Sequence, residues 1–142
     1  MAVALPALQG YTLEDEPLVP CLCITYQPTM SSAQFREAQV LLLELIGKRK
    51  VQKLFIDTSQ MALISPSDRV WVVTDWFTQA TKAGLKVIAG LVPQHFLMHL
   101  IMVEPLVKIG NSFSIQVRWF TNRQEALWWL EGYGQPGNAF DK

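Results

Sequence analysis

Short apolar runs bounded by polar or turn residues recur along this chain, and longer stretches with helical periodicity lie between them. "PCLCITYQ" (20–27), "KLFID" (53–57), "LKVIAGLV" (85–92) and "SFSIQVRWF" (112–120) are rich in β-branched, aromatic and other apolar residues, as strands are. The segments separating them are too long for hairpin turns. Strands joined by helices pair in parallel through βαβ crossovers, so the alternation restricts the chain to an α/β layer architecture. "LQGYTLED" (8–15) precedes these runs and is joined to the second by "EPLVP", which predicts an opening antiparallel hairpin. The expected fold is one α/β domain over residues 1–132. Its sheet is mixed, mainly parallel and five-stranded, with about four helices. A flexible, glycine- and proline-containing tail is expected at 133–142.

The helix boundaries follow from capping chemistry. Ser31 or Ser32 is the expected N-cap of the first helix, Phe35, Ala38, Leu42, Leu45 and Ile46 its buried stripe, and Gly47 its stop. Ser65-Pro66 opens a second helix with proline in its first turn. Helical spacing predicts Val70, Val73, Phe77 and Ala80 on the buried face, with Trp76 flanking it and Trp71 pointing away; Gly84 closes the helix. A third helix is expected over about 94–109, with Pro105 kinking or ending it. Asn122, three residues before Glu125, resembles a capping box and opens the last helix.

Charge and composition exclude several function classes. Half of the residues are apolar, and twelve acidic residues balance twelve basic ones. That balance argues against a nucleic-acid partner, which calls for a basic excess. The basic cluster "GKRKVQK" (47–53) suits a helix C-terminus, where cations meet the negative end of the dipole. No apolar run reaches the ~18–20 residues of a membrane span, and the N-terminus has no basic segment of a signal peptide, so a cytoplasmic protein is expected. Cys21 and Cys23 share one strand face and are poorly placed to bridge, which makes them packing thiols.

No motif names a reaction. His95 and His99 are spaced to share a metal on one helix face, but the residues between them are Phe96, Leu97 and Met98, so the H-E-x-x-H glutamate is missing. Core-edge histidines, with no metal and no cofactor, are the expectation. There is no G-x-S-x-G elbow, P-loop or G-x-G-x-x-G. Asp57 ends a strand where open α/β sheets place ligand sites; capping of its own loop is the simpler role. A non-catalytic protein is expected.

Two segments carry a family resemblance. "KLFIDTSQMALISPSDRVWVVTDWFTQATKAGLKVIAGLVP" (53–93) has a strand ending in Asp, a loop, a helix, then Gly-Leu-Lys before a strand. "VRWFTNRQEALWWL" (117–130) has a strand ending in Phe, a polar turn, then Glu-Ala-Leu and a Trp-Leu pair. Their order and spacing resemble the STAS and SpoIIAA-like superfamily, nearest to its uncharacterised bacterial SpoIIAA-like branch. The resemblance implies an interaction or regulatory domain. In phosphorylation-regulated members an Asp-Ser pair follows the strand. Aligned through Asp57 and Ser59, Ser65 stands at the aspartate position and Pro66 at the serine position, so the usual phosphoswitch is missing. Ser65 and Ser67 flank it.

The helices carry more aromatic and apolar surface than one buried face needs. Trp71 and Trp128 fall on outer faces, Val40 and Leu43 lie off the first helix's stripe, and the third helix is apolar nearly all round. Two readings follow, beside a third in which the chain is an enzyme of unknown reaction. In the first, the chain is a self-associating interaction domain, a homodimer with helix 94–106 and Trp71 or Trp128 at the contact. In the second, it binds a small apolar, lipid-like ligand, as the related CRAL-TRIO fold does. The candidate binding residues are Asp57, Ser59, Ser65, Ser67, Trp71, His95, His99 and Trp128.

Overall fold

The computed structural model describes residues 10–16, 19, 21–60, 65–92 and 114–133. Strands β1 (Tyr11–Asp15), β2 (Leu22–Tyr26), β3 (Lys53–Asp57), β4 (Val87–Leu91) and β5 (Gln116–Phe120) form one five-stranded sheet in sequential order. β1 and β2 pair antiparallel, from Tyr11 opposite Tyr26 to Asp15 opposite Leu22. The remaining pairs are parallel. The mixed, mainly parallel sheet expected from the sequence is therefore the one observed. The expected third helix, 94–109, lies outside the described residues, as do Leu97, Met98 and Pro105.

Sequential strand order fixes where the helices sit. Right-handed crossovers that always step in one direction leave their helices on one face of the sheet. Helix α1 (Ser32–Arg49) and the helical segment from Pro66 to Ala83 pack together on that face. They cover Leu22, Ile24, Tyr26, Leu54, Ile88 and Val117. Helix α4 (Arg123–Gly132) packs on the opposite face against Cys23, Phe55, Val87 and Ala89. The period-2 alternation of the strands feeds both cores, so the sheet is buried on both sides.

Capping follows the local chemistry with one exception. Ser31 and Gln34 exchange reciprocal bonds at the start of α1, Ser65 Oγ accepts from Asp68 N, and Asn122 Oδ1 accepts from Glu125 N. Gly84, at φ 106°, closes the second helix in the left-handed region that suits glycine. Gly47 does not stop α1, contrary to expectation. The helix runs on to Arg49, and Lys50 makes the left-handed cap at φ 56°, its N–H and that of Val51 both bonding the Ile46 carbonyl. Lys48 and Arg49 occupy the last turn, where the dipole favours them.

The second helix departs furthest from the sequence reading. It comprises α2 (Pro66–Trp71), a π-helical turn (Val72–Trp76) and α3 (Phe77–Ala83). The N–H of Phe77 bonds the carbonyl of Val72, five residues back. This extra residue rotates the N-terminal part of the helix relative to a straight α-helical wheel. Asp68, Val72, Trp76, Phe77 and Ala80 face inward. Val70, expected in the core, is 58% exposed; Val73 is only partly buried, and Trp76 is fully inside instead of flanking. Leu45, expected in the stripe of α1, is likewise only partly buried, whereas Phe35, Ala38, Leu42, Ile46, Phe55, Phe77, Ile88, Ile115 and Leu130 are buried.

Candidate functional site

Parallel strands end on one edge of the sheet, and the helices that follow them begin there. The N-termini of α1 and α2 consequently lie side by side. Ser65 caps α2, and its hydroxyl lies 3.2 Å from that of Ser67. Asp68, one residue on, is only 2% exposed. Its carboxylate accepts from Arg36 Nε at 2.7 Å and from Ser32 Oγ at 2.7 and 3.0 Å. Arg36 also donates from Nη2 to the Ser67 carbonyl and lays its guanidinium over the Trp71 ring, 4.9 Å from the centroid. One arginine thus ties α1 to three positions of α2. Burial pushes the Asp68 carboxyl up, but the bonds from Arg36 and Ser32 outweigh it and hold the group below the usual carboxylate value.

Asp57 and Ser59 form a separate, local arrangement at the end of β3. Asp57 Oδ1 accepts from Ser59 N at 3.0 Å and Ser59 Oγ at 2.6 Å, an Asx turn. Thr58 fastens the same turn to β4 through its backbone N–H and hydroxyl, both bonding the Leu91 carbonyl. The carboxylate of Asp57 caps its own loop, the simpler of the two roles weighed for it.

Of the candidate residues, the structure brings Ser65, Ser67 and Trp71 into one side-chain network. Trp71 does not point away, as a straight helix would have it; it is partly buried beneath Arg36. Trp128 lies on α4, across the sheet from that network, and is 67% exposed. His95 and His99 lie outside the described residues. Sequence reasoning missed Arg36, Ser32 and Asp68. The signal available for Asp68 was its place three residues after Ser65, where a capped first turn directs it back toward the start of the helix.

No three His, Cys, Asp or Glu residues come together as a metal-binding group among the described residues, and no described helix is long and apolar enough to cross a membrane. Cys21 and Cys23 are buried free thiols. Burial pushes Cys21 up to about 12 and Cys23 up to about 11. Since the thiolate is the nucleophile, both thiols are expected to resist a thiol-selective reagent in the folded protein and to react rapidly in denaturant. Equal labelling rates in the two conditions would contradict that.

No family model matches the chain, and no curated protein does. The fold does match a solved structure. An uncharacterised protein of the DUF3478 family from Shewanella loihica PV-4, described as having a SpoIIAA-like fold, superposes with a TM-score of 0.59 at 16% identity. The match covers 84% of this chain and 91% of that one. The chain has a SpoIIAA-like fold.

Proposed function

We propose that this SpoIIAA-like domain is a non-catalytic interaction module that also self-associates. The observation that carries the reading is the network on the rim of α1 and α2. Ser65, Ser67, Trp71, Ser32, Arg36 and Asp68 are engaged with one another in holding two helix ends together. The one hydroxyl bonded to a carboxylate here, Ser32 to Asp68, is tied into the same bridge as Arg36, which uses the carboxylate to join the two helices. Arrangements of this kind fix the shape of a surface, which is what a docking module requires. The SpoIIAA-like fold is consistent with this role.

Self-association is assigned to the other side of the molecule. Trp71 is partly covered by Arg36, whereas Trp128 is 67% exposed, so Trp128 is the stronger anchor. A tryptophan buried at an interface removes about 150–250 Å² from water, and a two-fold axis uses such an anchor twice. Light scattering of concentrated protein should give the mass of a dimer. Trp128→Glu should give a monomer with an unchanged melting temperature, because the residue contributes little to its own domain's core. A wild-type chain that remains monomeric at high concentration would refute self-association.

A further inference from the structure

The π-helical turn and the sheet line a small, partly open cavity of about 60 Å³. It lies on the α1 and α2 face, between Tyr26, Gln39, Val72, Trp76, Phe77 and Trp119. Three features make it a built site and not a packing fault. Trp76 and Phe77, at the end of the π turn, both face inward and form one wall. Polar groups at the wall are fixed: the Tyr26 hydroxyl donates to Gln39 Oε1, and Trp76 Nε1 donates to the Gln39 carbonyl at 2.8 Å. The indole N–H of Trp119 is buried and has no acceptor among the described residues. Trp119 is held there by Gly90 on the neighbouring strand, since a Cβ at position 90 would run into the indole ring.

A buried donor without an acceptor costs about 1–3 kcal/mol, and native structures seldom tolerate it without an occupant. We propose that the cavity is a binding site for a small neutral organic molecule bearing one oxygen acceptor, a short ketone or alcohol, with Trp119 Nε1 donating to that oxygen. None of the described residues lining the cavity is charged, so a charged ligand would find no counter-charge among them. An aromatic ring is too large, since benzene occupies a cavity of about 150 Å³. A purely apolar ligand would leave the Trp119 N–H without an acceptor. Water is the competing occupant: about 10–15 Å³ of such space is enough for one molecule, so the cavity has room for several.

Acetone is the probe. With so few heavy atoms its expected Kd is on the order of 1 mM or weaker. The indole N–H resonances of the five tryptophans report the site directly. The Trp119 signal, assigned by its loss in Trp119→Phe, should move saturably with acetone, while the exposed Trp128 signal should drift only linearly. Saturation transfer to the acetone methyls should show binding weakened about fivefold or more in Trp119→Phe, which keeps an aromatic wall and removes the donor. Val72→Leu adds a methylene at the cavity wall and should abolish uptake without touching the donor. A linear response at Trp119, wild-type uptake in Trp119→Phe, or a cavity that exchanges water alone would overturn the proposal.

Discussion

Trp76→Ala is expected to destabilise the protein by about 3–5 kcal/mol, the usual range for emptying an aromatic site in a core. Trp76 is 2% exposed, meets Phe77 edge-on with ring centroids 5.6 Å apart, and donates its N–H to the Gln39 carbonyl. The loss combines a cavity with a broken buried hydrogen bond. It is a large part of the roughly 5–15 kcal/mol that holds a domain of this size together. Val70→Ala is the informative companion. A straight helical wheel puts Val70 in the core and Trp76 at its edge, yet Val70 is 58% exposed. Its truncation should change stability by no more than about 0.5 kcal/mol. Urea unfolding of the two variants measures the difference. Comparable losses in both would mean that the helix carries no π turn and that its register is the straight one.

What the sequence reveals here is what local chemistry controls. Strands were legible because β-branched and aromatic runs alternate with helical segments, and parallel pairing followed from connection length. The starts of the helices were legible because Ser31, Ser65 and Asn122 satisfy backbone donors within three residues of themselves. The end of α1 was misread because a left-handed cap at Lys50 does the work usually given to glycine. The π turn was not visible in a wheel that assumes uniform rotation. Its sequence does hold a signal. Val72, Val73 and Thr74 are consecutive β-branched residues, which crowd an α-helix. Thr74, Thr78 and Thr81 each bond the carbonyl four residues back, a habit that bends helices. The rim network was half legible for a different reason. Ser65, Ser67 and Trp71 are neighbours in sequence, but Arg36 and Ser32 reach Asp68 across more than thirty residues. Only the packing of α1 against α2 brings them into contact, and no local pattern encodes that distance.

Asp68 gives the second large effect, and one that depends on pH. Its side chain is 3% exposed and paired with Arg36, itself 40% exposed. Breaking a fully buried ion pair costs about 3–5 kcal/mol. Because Arg36 keeps access to water after its partner is removed, Asp68→Ala should cost less, about 2–3 kcal/mol at neutral pH. The sign of the pH dependence follows from the direction of the shift. The folded-state value lies below the ordinary carboxylate value of 3.8. The unfolded chain therefore takes up the proton first, so the ionised pair stabilises the fold above that value and loses its contribution as pH falls through the folded one. The stability gap between wild type and Asp68→Ala should accordingly narrow in acid, below about pH 4. Asp68→Asn should behave differently. The amide oxygen can still accept from Ser32, so its cost at neutral pH should be smaller, and its stability should lack this acid-sensitive component. Unfolding curves for the three proteins across the acid range test the assignment. A gap that stays constant from neutral to strongly acidic pH would show that Asp68 acts through packing alone and that the Arg36 charge contributes nothing at this rim.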